Sequence, residues 1–104
     1  MQQENKYQVV VSEQAMKMLV SHAAFLAQVS PQAAERLTVA FEKTAHALEQ
    51  MPQRCPWFRA AHIPPNLYRS ILFEKHYLIL FQIKEGVVYA DYVLDCRRDY
   101  RWLL

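Results

Sequence analysis

Two helical segments joined only by Ser30 and Pro31 constrain the fold of this chain more than any other feature of its sequence. In residues 15–29 apolar side chains recur at the three- and four-residue spacing of a helix, and Ser12 can cap its start. Ser30 is a good N-cap for the second helix, Pro31 suits its first position, and a second apolar stripe continues to about residue 50. Two such helices can cover one face of a sheet.

Four segments with strand character flank these helices. Residues 7–11 are rich in β-branched side chains and precede the first helix. After an irregular segment with four prolines, residues 52–66, three more strands are predicted at residues 67–73, 77–84 and 87–95. Gly86, the only glycine, is expected in the turn between the last two strands, where a positive φ is needed.

The predicted element order is β-α-α-β-β-β, which belongs to the α+β class. The strand at residues 77–84 is apolar on both faces, and we therefore expect it inside a mainly antiparallel sheet. Because both helices are expected on one face of this sheet, the other face should stay partly open.

Length and composition indicate one globular domain. We expect residues 1–104 to form this one domain. The chain is 53% hydrophobic and 21% charged, which is the composition of an ordinary folded protein. No apolar run approaches the ~20 residues that span a bilayer, and residues 1–6 lack the pattern of a secretory signal. We therefore expect a cytoplasmic protein without membrane contact.

The cysteines and histidines predict neither a disulfide nor a metal site. Cys55 and Cys96 are expected to be reduced thiols in a cytoplasmic chain. No C-x-x-C or H-x-x-x-H spacing is present, so we expect no metal and no cofactor. The four histidines are expected to be packed or surface residues rather than catalysts: His22, His46, His62 and His76.

Positive charge is concentrated in the second half of the chain. Residues 51–104 carry eight Lys and Arg against five Asp and Glu, whereas residues 1–50 carry four against five. This asymmetry is a modest indication of an acidic or polyanionic partner, although an ordinary solvated surface is the simpler explanation.

Four short patterns, in this order, resemble the RelE/ParE superfamily of toxins. Y-Q-V-V-V-S-E-Q-A at residues 7–15 resembles their first strand and the start of the next helix, and L-E-Q-M-P at residues 48–52 resembles the end of their second helix. Tyr68-Arg69 resembles the Y-R of their second strand, and V-L-D-C-R-R-D-Y at residues 93–100 resembles the end of their fourth. The resemblance spans residues 6–104 and is closer to the ParE branch than to RelE.

The resemblance implies the toxin of a type II toxin–antitoxin pair, neutralised by a cognate antitoxin protein with which it would form a hetero-oligomer. RelE-like members cut mRNA on the ribosome, whereas ParE-like members poison DNA gyrase. The chain would then be either a metal-independent endoribonuclease or a gyrase inhibitor that is not an enzyme, with the second slightly favoured. The alternative is a non-toxic binding module that dimerises or binds a partner through its open sheet face.

For RNA cleavage, the resemblance assigns the chemistry to arginines near two strand ends. In this reaction the ribose 2′-OH attacks the neighbouring phosphate, and an arginine fork can stabilise the developing charge. Arg69 matches the family's Y-R arginine, and Arg97 or Arg98 matches the arginine after the fourth strand. Tyr100 could stack on a base or transfer a proton. We expect these residues to converge on one face of the sheet.

Other features weaken the catalytic interpretation. Arg69 could instead pair with Asp91 or Asp95 across the sheet, and Tyr100 could be a core or rim aromatic. Asp95 stands where the family often has histidine. An aspartate near phosphate repels it unless an arginine neutralises the carboxylate, and because aspartate is ordinarily ionised at pH 7 it cannot act as an acid without a large shift of its pKa. Basic residues are also few on the second strand. These features favour a gyrase inhibitor over a ribonuclease.

Three aromatic residues are candidates for binding a partner. Trp57 and Phe58 lie between prolines of the irregular segment, and Trp102 lies in the C-terminal tail. Exposed aromatic rings are frequent anchors at protein interfaces. The equal alternative is that these rings fill the open end of a small core.

Overall fold

The structure, a computed structural model, describes residues 6–103. Its helices and strands are, in chain order, β1 (Gln8–Val11), α1 (Glu13–Ala27), α2 (Pro31–Ala47), β2 (Arg69–Phe73), β3 (Tyr77–Lys84) and β4 (Val87–Asp95). The predicted element order and the α+β class are confirmed. No helix within residues 6–103 combines the length and apolar character that crossing a bilayer requires. Residues 1–5, on which the expectation of no secretory signal partly rests, lie outside the described residues.

Both helices begin at their predicted serine caps. The Oγ atoms of Ser12 and Ser30 each accept a hydrogen bond from the backbone N–H three residues further on, at 2.9 and 3.2 Å. The helices end before the predicted residues 29 and 50. Their last turns tighten into three-residue hydrogen bonds, such as that from the N–H of Glu49 to the carbonyl of His46 at 3.1 Å.

The strands form one sheet in the order β1-β4-β3-β2. β1 pairs in parallel with β4, whereas the other neighbouring strands are antiparallel, so the mainly antiparallel sheet is confirmed. β3 lies inside the sheet, as its two apolar faces predicted. A two-residue turn joins β3 to β4, and its residues Glu85 and Gly86 have the positive φ angles, 51° and 81°, that such a turn needs.

β4 contains one extra residue relative to β3. Leu80 pairs with Tyr92 but Phe81 pairs with Ala90, so Asp91 forms a bulge between them. The hydroxyl of Ser12 donates to the carbonyl of Asp91 at 3.2 Å, and the bulge thereby anchors the start of α1.

Both helices pack on one face of the sheet and bury its centre. The main cluster of buried side chains on this face consists of Ala15, Leu19, Leu37, Phe41, Phe73, Tyr77, Ile79, Ala90 and Val93. Burying one large apolar side chain contributes about 1.5–3 kcal/mol. The centre of this face is therefore filled by the core.

The irregular segment covers part of the opposite face. Phe58 from this segment packs with Leu80 and Leu94, and Trp102 from the tail packs against the same cluster. Elsewhere the face is open, and Tyr89 is 38% exposed there. The expected open face is thus confirmed only in part, because the segment between α2 and β2 folds over it.

Candidate functional site

Arg69 holds the irregular segment against the edge of the sheet. Its Nη1 donates hydrogen bonds to the carbonyls of Gln53 and Cys55, at 3.1 and 2.8 Å. Its guanidinium also lies over the ring of Trp57, 3.9 Å from the centroid, in a cation–π contact. Arg69 is therefore fixed in one orientation by two acceptors and one aromatic ring.

Asp95 and Arg97 form an ion pair at the end of β4. Asp95 is 1% exposed, and its Oδ1 accepts hydrogen bonds from the backbone N–H and the Nε of Arg97, at 2.9 and 3.3 Å. The bonded carboxylate raises the pKa of the Arg97 guanidinium. Asp91 instead accepts a hydrogen bond from Gln82 at 3.4 Å. The alternative that Arg69 pairs with Asp91 or Asp95 is therefore wrong.

The chain after Asp95 folds back on α1. The guanidinium of Arg98 lies over the ring of Phe25, 4.3 Å from its centroid. The Oδ2 of Asp99 accepts a hydrogen bond from the backbone N–H of Asp95 at 2.9 Å and lies 3.7 Å from the Nε2 of His22. These contacts direct Arg98 towards α1 and away from Arg69.

His22 is the buried polar residue beneath this turn. Its Nε2 lies 2.9 Å from the carbonyl of Val93, and its Nδ1 has no hydrogen-bond partner among residues 6–103. The ring is a packed histidine, as expected from its place in the apolar stripe of α1. Its proximity to Asp99 was missed, because no sequence spacing relates a residue on the first helix to the turn after the last strand.

Neither cysteine offers a ready nucleophile. Both are free thiols, and burial raises the pKa of Cys55, against the opposing effect of Arg54 and Arg69. Burial also raises the pKa of Cys96. Thiols with raised pKa values are protonated at neutral pH and react slowly. Within residues 6–103, moreover, no three potential ligands gather into a metal-binding cluster.

The predicted arginines do not converge. Arg69 pairs with Phe81 on β3, whereas Asp95, which precedes Arg97, pairs with Tyr77 at the start of the same strand. Tyr77 and Phe81 are four residues apart on β3, so Asp95 and Arg69 are separated by about 13 Å along the strand direction. Both Arg69 and Asp95 lie on the face of the sheet that the helices cover. β2 and β4 are both antiparallel to β3 and so run in the same direction. The start of one strand and the end of the other therefore lie at opposite ends of the sheet, and the expected convergence is wrong.

The aromatic candidates divide between surface and core. Phe58 is 5% exposed and fills a cluster on the second sheet face, so for this ring the core-filling alternative is correct and its exposure as a partner anchor is not. Trp102 is half-buried, with its ring 4.9 Å from that of Tyr92. Trp57 is 38% exposed and Tyr100 is 56% exposed. Partner binding by Trp57 and Trp102 and the proposed role of Tyr100 stay predictions.

Comparison with known families identifies the chain. Its sequence matches the family model for the ParE toxin of the type II toxin–antitoxin system parDE over residues 9–100. The chain belongs to the ParE toxin family. The resemblance to the RelE/ParE superfamily, and to its ParE branch, is thereby confirmed. No sequence among the curated proteins matches this ParE-family chain.

A solved structure shares the fold of this ParE-family chain. A chain of the "Chromosomal ParDE TA system from P. aeruginosa" superposes with a TM-score of 0.69 and 13% sequence identity. The match covers 88% of this chain and 98% of that one. At this identity the likeness establishes the shared architecture of two helices on a four-stranded mixed sheet, and it assigns no residue a role.

In this ParE-family chain a cavity of about 280 Å³ opens beside Arg69. It is named here the Arg69 pocket and is lined by Gln53, Trp57, Asn66, Leu67, Arg69, Phe81, Gln82 and Ile83. Among the residues that the structure describes, this lining combines one guanidinium, three side-chain amides and apolar walls, and it contains no carboxylate. Such a lining is suited to an anionic group attached to an apolar chain.

Proposed function

We propose that this ParE-family chain is a toxin that inhibits DNA gyrase and that a protein antitoxin neutralises it. The observation that carries the choice of target is the separation of its arginines. Arg69 is bonded to backbone carbonyls at one end of the sheet, and Arg97 is bonded to Asp95 at the other. Family membership supports the toxin role, and the resemblance to ParE-like toxins supports gyrase as the target.

Metal-independent RNA cleavage needs several groups on one phosphate. Cations must stabilise the developing charge while an acid or a base moves the proton, all within a few ångströms of the reacting atoms. A phosphate near Arg97 would meet the carboxylate of Asp95, and Arg69 would be out of reach. Inhibition of gyrase does not need such a cluster of catalytic groups, because an inhibitor acts by binding its target.

Two reactions run in parallel distinguish the targets. Purified full-length protein is added to a gyrase supercoiling reaction and to a ribosomal translation reaction with a labelled mRNA. We expect loss of supercoiling and intact mRNA. Cut mRNA with normal supercoiling, and loss of the cuts in Arg69→Ala and Arg98→Ala variants that retain the native circular dichroism spectrum, would reverse the choice of target.

The antitoxin is tested by expression in a bacterial host. The gene is expressed alone and together with the short reading frame beside it. We expect growth arrest in the first case, and in the second case normal growth with a complex that elutes as one species in gel filtration. Normal growth in both cases without a complex would favour the non-toxic binding module.

A further inference from the structure

We propose that the Arg69 pocket binds a single carboxylate side chain, presented by a protein segment in which the acidic residue has an aliphatic neighbour. The proposal rests on the proposed neutralisation by a protein antitoxin, since the bound segment of that partner is the natural ligand. It adds to that function a specific recognition site and the chemistry of the residue that occupies it.

Arg69 is held ready to bind. In the described part of the chain both of its hydrogen bonds use Nη1, which leaves Nε and Nη2 for an acceptor from outside. The Trp57 ring supports one side of the guanidinium at 3.9 Å. A guanidinium fixed in this way loses little conformational freedom when a ligand arrives, and its planar fork matches the two oxygens of a carboxylate.

The charge of the pocket favours an anion. Arg69 is the one charged residue among the described residues that line it, and the amides of Gln53, Asn66 and Gln82 line it as well. The Nε2 of Gln53 already donates to the hydroxyl of Tyr7, but each side-chain amide carries two N–H donors. Asp91 does not line the pocket, and its Oδ2 accepts a hydrogen bond from the Nε2 of Gln82 at 3.4 Å. An incoming carboxylate therefore meets a cation and amide donors with no competing carboxylate in the lining.

The single positive charge and the apolar walls of the pocket both favour a carboxylate on a peptide over a phosphate. A single bidentate pair with arginine balances the one negative charge of a carboxylate, whereas a phosphate monoester carries a charge of about −1.5 to −2, which one arginine leaves partly unbalanced. The apolar walls include Trp57 and Leu67, each 38% exposed, and an aliphatic side chain beside the acidic residue would cover them.

Two matched peptides test the proposal on the full chain. N-acetyl-Leu-Glu-Leu-amide and its neutral isostere N-acetyl-Leu-Gln-Leu-amide are titrated into protein labelled with ¹⁵N. The readouts are the Nε–H signal of Arg69 and the indole N–H signal of Trp57. We expect saturable shifts of both signals with the Glu peptide and at least fivefold weaker binding of the Gln peptide. Equal affinities, or shifts confined to other residues, would overturn the proposal.

A matched pair of variants locates the site. Gln82→Glu places a carboxylate in the pocket, whereas Gln14→Glu makes the same change on the exposed side of α1. We expect Gln82→Glu to abolish the preference for the Glu peptide and Gln14→Glu to retain it. An equal effect of both substitutions, or tighter binding of inorganic phosphate than of the Glu peptide, would overturn the proposal.

These titrations measure neither growth nor supercoiling. A failed titration with growth arrest intact therefore rejects the pocket and keeps the toxin role. A successful titration without growth arrest keeps the pocket and rejects the proposed function.

Discussion

Asp95 and Arg97, two positions apart at the end of β4, bond to each other so that a buried carboxylate meets a guanidinium at the surface. Oδ1 of Asp95 accepts from the backbone N–H and Nε of Arg97, and Oδ2 lies 3.5 Å from Nη2. A buried carboxylate is costly unless it is fully hydrogen-bonded, and these bonds meet that requirement. The pair therefore stabilises the turn that follows the last strand.

Replacing Asp95 by Asn should destabilise the fold by about 1.5–3 kcal/mol, because hydrogen bonds to a charged group are lost from a buried site. Asp91→Asn, on the half-buried bulge residue, is the matched control and should cost less. Urea denaturation measures both free energies of unfolding. Equal losses would show that the bonds to Arg97 add nothing to the stability.

Removing the serine caps should weaken the helices by about 1 kcal/mol each. Ser12→Ala is expected to cost more than Ser30→Ala, because the hydroxyl of Ser12 also donates to the carbonyl of Asp91 at 3.2 Å. Ser21→Ala, in the exposed middle of α1, is the control and should be neutral or slightly stabilising, since alanine has the higher helix propensity. Thermal denaturation compares the three variants, and a loss in Ser21→Ala as large as in the cap variants would contradict the assignment.

Adjacent aromatic residues should respond very differently to truncation. Phe58→Ala empties a buried position and should cost about 3–5 kcal/mol, whereas Trp57→Ala loses a cation–π contact at a half-exposed ring and should cost about 1 kcal/mol. Phe58→Leu retains much of the volume and serves if the alanine variant does not fold. Urea denaturation decides the order. A greater loss at Trp57 than in either Phe58 variant would contradict the packing described.

The thiol of Cys55 should titrate above its ordinary value of 9.0, because burial disfavours the thiolate. In unfolded chains this thiol loses its proton first, so the folded state binds more protons and stability falls as the pH rises through about 9. Alkylation by iodoacetamide in a Cys96→Ser variant measures the titration in native protein and in urea. A native midpoint at or below the denatured one would refute this assignment.

Sequence reasoning succeeded where the information is local. Ser12 and Ser30 cap their own helices, Gly86 adopts the positive φ of its own turn, and the apolar residues on both faces of β3 reflect its place inside the sheet. Each of these features depends on neighbours in the chain. The element order followed from them, and the family resemblance supplied their arrangement.

The candidate site was harder to predict because it depends on distant pairings. Arg69 and Arg97 each lie near a strand end, but which ends meet depends on strand direction, which separates them. Phe58 lies between prolines in an irregular segment, and no periodicity shows that this segment folds over the sheet. The bulge at Asp91 was not predicted either, because it arises from the pairing of β4 with β3 and not from a local sequence pattern.

The parallel pairing of β1 with β4 has a consequence for the order of events during synthesis. Ser12 and Asp91, which are hydrogen-bonded to each other, are 79 positions apart. In the sheet formed by the described residues, β4 is the one strand that borders β1. A growing chain thus carries its first strand unpaired until the last strand has emerged, and contacts between such distant residues form slowly. Any activity that depends on the finished sheet therefore arises only after β4 has been synthesised.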